Sequence, residues 1–171
     1  MTKTEFKKYI KTLDRASLEE MLLDLYSAHK NVREYIEYTA NPNDNALFEK
    51  CKEIIKNEFY PKRGDGKMRF SVCRKAVSEF KAYNPAPELL ADLMLCIPEY
   101  ASEIAANYGD LWEQFYDSAV NNFEAAMKLI NKNSLLPKFQ KRIDRILKNC
   151  EDSGYGFPDS MWQVYDDYSN S

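Results

Sequence analysis

Apolar residues along this chain recur at intervals of three and four and almost never at two, which is the period of an amphipathic helix rather than a strand. The first predicted helix carries Phe6, Tyr9, Ile10 and Leu13. The second opens at Ser17-Leu-Glu-Glu20, read as a capping box, and buries Leu18, Met21, Leu22 and Leu25. A third, short helix offers Val32, Tyr35 and Ile36 before Asn41-Pro42 stops it. Asn43 or Asp44 caps the fourth, with Leu47, Cys51, Ile54, Ile55 and Phe59 on one face and alternating charge on the other. Pro61 to Lys67 is the clearest loop.

The fifth helix presents Phe70, Cys73, Val77 and Phe80, and Asn84-Pro85 reads as cap and first residue of the sixth. That sixth helix runs through Leu89, Leu93, Met94 and Ile97 to Pro98, where a proline must kink it or split it. Gly109 ends it, and Asp110-Leu-Trp-Glu113 resembles a second capping box. The seventh helix has the stripe Phe115, Ala119, Phe123, Ala126, Met127 and Ile130. The eighth spans Leu136 to Cys150, and a last helix holds Met161, Trp162 and Tyr165.

These elements predict an all-α fold. Eight or nine short antiparallel helices stack as helical hairpins, in the manner of an α-α superhelix or solenoid, within one domain spanning residues 1–171. Each helix shows one apolar face, which suits a shallow stack better than a helix buried at a centre. No internal repeat supports a regular solenoid. Composition agrees: 171 residues with 44% apolar and 30% charged side chains are too apolar for disorder and too charged for a membrane protein.

Cys51, Cys73, Cys96 and Cys150 are dispersed among apolar residues at helical spacing, where a reduced thiol behaves as a small hydrophobe. Together with the lack of a signal peptide, this leads us to expect a cytoplasmic protein. The most apolar run, Leu89 to Ile97, is short and carries Asp92, so no membrane partner is expected.

Candidate chemistry is sparse. One histidine, His29, cannot supply a metal site or a catalytic triad by itself, and it reads as a surface residue. Gly64-Asp-Gly66-Lys67 lacks the spacing and the preceding strand of a phosphate loop, and reads as a turn. Gly154-Tyr-Gly156 lacks the third glycine of a dinucleotide fingerprint, and reads as a reversal packing Tyr155 or Phe157 against the last helix. Glu88, Asp92, Glu99 and Glu103 would align on an unbroken helix, and read as a solvated acidic face. No catalytic residue, metal ligand or cofactor is assigned.

Charge is uneven: Lys and Arg exceed the acids over residues 1–84, and the acids exceed them over residues 85–171. Lys62, Arg63, Lys67, Arg69, Arg74 and Lys75 cluster around the loop and the start of the fifth helix, with Asp65 the only opposing charge within that cluster. Cations at a helix N-terminus face the positive end of the dipole, an arrangement easier to explain with an anion or acidic partner there. On the eighth helix Lys138, Lys141, Arg142, Arg145 and Lys148 fall on one side, opposite Phe139, Ile143, Ile146 and Leu147. That basic face either meets an anionic partner or pairs with the acidic seventh or ninth helix.

The chain resembles a family of short bacterial proteins, the domain of unknown function numbered 6155. The resemblance rests on Leu13-Asp-Arg-Ala-Ser-Leu, Phe59-Tyr-Pro-Lys-Arg-Gly64, Ala91-Asp-Leu-Met94, Tyr108-Gly-Asp110 with Phe115-Tyr116, and Gly154-Tyr-Gly-Phe157. It implies a helical fold and no activity. Where it leads one to expect an aromatic pair and a histidine, this chain has Gly156-Phe157-Pro158, so a histidine-dependent role would not carry over. The expectation is a protein-interaction or scaffold module whose partner is another protein. The alternative is binding to a nucleic-acid backbone through the two basic segments.

Overall fold

The computed structural model describes residues 1–109 and 111–169, and among these the chain is all helical. Nine helices follow in order: α1 (Lys3–Ile10), α2 (Arg15–Ala28), α3 (Lys30–Ala40), α4 (Asp44–Phe59), α5 (Phe70–Lys81), α6 (Pro87–Tyr108), α7 (Glu113–Lys132), α8 (Leu136–Cys150) and α9 (Phe157–Ser169). Packed helices run antiparallel. The chain divides into two compact units, Met1–Asn43 with α1–α3 and the chain from Asp44 onward with α4–α9. No helix among the described residues is long and apolar enough to cross a membrane.

Local chemistry sets the helix ends. Thr2 and Glu5 form a reciprocal capping box at α1. At α2 the expected box at Ser17 and Glu20 is corrected. Asp14 is the cap, accepting the Ser17 N–H at 2.8 Å, and the helix begins about one turn earlier. The expected start of α6 at Asn84-Pro85 is corrected too. Asn84 lies at φ +53° and closes the turn after α5 through its N–H to the Lys81 carbonyl, so Pro87 takes the first helical position. Asp110, expected to cap α7, lies outside the described residues.

In the first unit α2 packs on α3, yet none of the residues of α1, α2 or α3 is buried. The expected buried face of Leu18, Met21, Leu22 and Leu25 is corrected to a half-buried one: Leu18, Met21 and Leu25 are partly covered, and Leu22 is open. Leu22 is 52% exposed, and its neighbour Leu23 is 66% exposed.

The second unit is organised around α6. Twelve of its residues are buried, and it packs against α4, α5, α7 and α8, while α9 lies on α7 and α8. The rule of one apolar face per helix fails here. Ala91, Ala101, Ser102 and Ala105 are small enough to let neighbours approach on several sides. Pro98 neither splits the helix nor interrupts its register, because α6 continues unbroken from Pro87 to Tyr108. The four cysteines are buried free thiols, as their apolar settings predicted. Burial pushes Cys73 and Cys150 up to about 12, so neither is a ready nucleophile at neutral pH.

The unbroken register turns the acidic row of α6 toward α8. Arg142 donates from Nη1 to Asp92 Oδ1 at 2.6 Å, and from Nη2 and Nε to Glu99 Oε2 at 2.6 and 2.9 Å. Arg145 pairs with Glu99 as well, and Lys138 pairs with Glu88. Glu103 accepts the Tyr60 hydroxyl at 3.1 Å. The acidic row is thus a ladder of pairs with α8, half-exposed at Glu88 and Asp92 and buried at Glu99, and the partner of the basic α8 face is α6, not α7 or α9. Glu99 is only 8% exposed, so its carboxylate oxygens depend on these arginines for hydrogen-bond partners. Arg142→Ala should cost about 3 kcal/mol, because it leaves the buried Glu99 carboxylate with Arg145 as its one remaining cation and takes away the partner of Asp92. Arg142→Met combined with Glu99→Leu should recover most of that loss. Urea unfolding followed by circular dichroism measures both.

Candidate functional site

Three helices of the second unit, α5, α6 and α7, enclose a groove of about 460 Å³. Its apolar lining comes from Val77 of α5, Met94 and Ile97 of α6, and Ala125 of α7. Its polar lining is Ser118, Asn121 and Asn122 of α7, with Arg74 of α5. Asn122 stands in the apolar register of α7, between Ala119 and Ala126, and is 7% exposed. Its Nδ2 donates to the Ser118 carbonyl at 2.7 Å, so the amide is held against its own helix. Arg74 is exposed, and among the described residues it has no ion-pair partner. A guanidinium beside hydrogen-bonding amides and an apolar lining suits a ligand carrying both a carboxylate and a hydrophobic group.

Structure sorts the ten predicted site residues into distinct roles. Lys138, Arg142 and Arg145 are cross-ties to α6, whereas Lys141 of the same helix is exposed. Lys75 lies 3.9 Å from Glu79 on its own helix, a solvated pair. Lys62, Arg63 and Lys67 are exposed on the loop before α5. Arg74 alone of the ten lines the groove.

Arg69 answers the question raised by cations at the head of α5. The anion there is the protein's own Glu58, at the end of α4. Its Oε2 accepts the Arg69 backbone N–H at 3.1 Å and Nε at 3.0 Å, and its Oε1 accepts Nη2 at 2.7 Å. The Met68 N–H donates to the Glu58 carbonyl at 2.8 Å, so the loop is clasped to α4 by both backbone and side chain. Gly66 permits the close approach: a Cβ there would sit 2.5 Å from the Phe59 carbonyl oxygen. Gly64 to Lys67 is therefore a turn folded onto α4. Sequence reading missed Glu58, which sits at the register of α4's buried stripe, three residues after Ile55.

Two of the segments that carry the family resemblance, 108–116 and 154–157, converge elsewhere. The Tyr116 hydroxyl donates to the Gly109 carbonyl at 2.5 Å and accepts the Leu111 N–H at 3.3 Å. Its ring lies 4.9 Å from Phe157 and 5.7 Å from Tyr155. The 154–157 reversal thus packs on α7, a correction to the expectation that it folds against the last helix. His29 is exposed at the junction of α2 and α3.

Those converging segments belong to a chain matched over residues 1–168 by one family. The chain is a member of DUF6155, a family of unknown function. Comparison with curated proteins and with solved structures gave no match. Membership in DUF6155 agrees with the expected resemblance and brings no activity with it.

The Glu58 clasp has a pH signature. Hydrogen bonding from Arg69, more than enough to offset burial, holds the Glu58 carboxyl below its ordinary value of 4.5. A depressed folded value means that the stabilisation is complete above the ordinary value and is lost as pH falls through the folded one. Glu58→Gln should therefore cost about 2 kcal/mol at pH 7. The difference between wild type and variant should shrink steadily below pH 4.5. Urea titrations at a series of pH values check this.

Proposed function

We propose that this DUF6155 protein is a protein-interaction module that receives an acidic, apolar-flanked peptide segment in the groove between α5, α6 and α7. The observation that carries the reading is Arg74, the one predicted basic site residue that lines the groove, and one left without a carboxylate partner among the described residues. Other prominent cations of this unit are already satisfied: Arg69 by Glu58, Arg142 by Asp92 and Glu99, and Lys138 by Glu88. In the proposed complex a carboxylate of the partner pairs with Arg74. Asn121 and the carboxamide of Asn122 meet backbone groups, and an apolar side chain covers Met94 and Ile97.

Nucleic-acid binding is the weaker reading because the ladder uses three of the α8 cations internally. It would rest chiefly on Lys62, Arg63 and Lys67. The test is fluorescence anisotropy with labelled peptides that intersperse Asp or Glu with Leu or Phe, beside a single-stranded oligonucleotide of equal charge. Peptide affinity should fall tenfold or more in Arg74→Glu, and should change little in a variant carrying Lys62→Glu and Arg63→Glu. Binding confined to the oligonucleotide, steeply salt-dependent and lost in the loop variant, would transfer the function to the loop.

A further inference from the structure

The first unit presents apolar surface with no core beneath it. None of the residues of its three helices is buried, and Phe6 (41% exposed), Tyr9 (48%), Leu22 (52%) and Leu23 (66%) are left open. A segment of about 40 residues ordinarily needs a disulfide, a metal or an oligomeric partner to hold a fold. The four cysteines all lie in the second unit, and the described residues hold no metal-binding cluster. Within the unit α2 packs on α3, whereas α1 adds no extensive packing to either.

Charge identifies the partner. Around α1 lie Lys3, Lys7, Lys8 and Lys11, with Glu5 the only acid, and Glu5 is engaged in capping at Thr2. Lys3 and Lys7 flank the Phe6–Ile10 stripe at helical spacing. On α2, Glu19 and Glu20 lie three residues before Leu22 and Leu23, with Asp24 beyond them. The one opposing cation, Arg15, makes a solvated pair with Glu19 and is itself 93% exposed. The chain thus carries one basic apolar helix and one acidic apolar helix, each open along its hydrophobic edge.

We propose that Met1–Asn43 is a self-association element. In a pair of chains, α1 of one copy lies across the Leu22–Leu23 edge of α2 in the other, and two-fold symmetry makes the contact twice. Reciprocal docking brings Lys3 and Lys7 to Glu19 and Glu20, and covers Phe6 and Tyr9 with the two leucines. It is independent of the α5–α7 groove, since it uses no residue beyond Asn43.

The test is sedimentation velocity on the full chain in low salt, over a range of concentrations. Wild type should dimerise. A variant carrying Lys3→Glu and Lys7→Glu should be monomeric, and so should one carrying Glu19→Lys and Glu20→Lys, because each leaves both helices with the same sign. Mixing these two variants should restore the dimer as a heterodimer. One chain carrying all four substitutions should dimerise by itself, which separates lost complementarity from lost folding. A wild type that stays monomeric overturns the proposal. So does a dimer that neither charge-reversed variant weakens, or a pair of variants that mixing fails to rescue.

Discussion

Glu99 is a carboxylate taken out of water inside the most buried helix among the described residues, and the placement of α8 on α6 follows from keeping it paired. A buried carboxylate without a partner costs several kcal/mol, enough to move a domain of marginal stability toward unfolding. Arg142 and Arg145 remove that penalty only if α8 lies along α6 in one register and one orientation. Arg142 also reaches the carbonyl of Asp92 at 3.1 Å and the thiol of Cys96 at 3.3 Å, so its guanidinium is held from several sides. Apolar contacts among Phe139, Ile143 and Ile146 supply the bulk of the attraction. They are tolerant of small slips; the ion pairs are not. With α8 placed, its C-terminal turn leads into Tyr155 and Phe157, which close over Tyr116.

A second clasp works on the same principle where α4 hands over to α5. Glu58 draws Arg69 and the loop onto the end of α4, and this fixes where α5 begins. Arg74 stands five residues, or somewhat more than one helical turn, further along α5. Its position over the groove is therefore inherited from a carboxylate on a different helix. The aromatic contacts of Phe70 with Phe59 and Phe115, at 5.6 and 5.3 Å, lock the same junction from the apolar side.

Much of this was legible from periodicity. The stripes of α7 and α8 appear in the sequence nearly as they are buried in the fold, because each of those helices has one core face. What escaped was the role of charge in the interior. Glu58, Asp92 and Glu99 look like solvent-facing residues when each helix is considered alone, and their partners lie 11 to 50 residues away. Pro98 added to the misreading by suggesting a break exactly where the acidic row had to stay in register. Asn122, a polar residue within an apolar stripe, was the available signal for the groove, and pattern matching for catalytic motifs passes over an amide. The opposite failure occurred in the first unit. Leu18, Met21, Leu22 and Leu25 have the spacing of a core face, but periodicity reports that a face is apolar and says nothing of what covers it.

The uneven charge along the chain acquires a physical meaning once the pairs are drawn. Across the second unit Glu58 of α4 neutralises Arg69 at the head of α5, and the acids of α6 neutralise cations of α8. Exposed positive charge remains on the loop at Lys62, Arg63 and Lys67, on α8 at Lys141, and beside the groove at Arg74. A cation retained beside an apolar groove is costly to cover with hydrocarbon and inexpensive to cover with a carboxylate. That asymmetry selects the chemistry of the occupant more sharply than the shape of the groove does. In the proposed complex the apolar lining would contribute contact area, Asn121 and Asn122 hydrogen bonds, and Arg74 the preference for a ligand that brings a carboxylate to it.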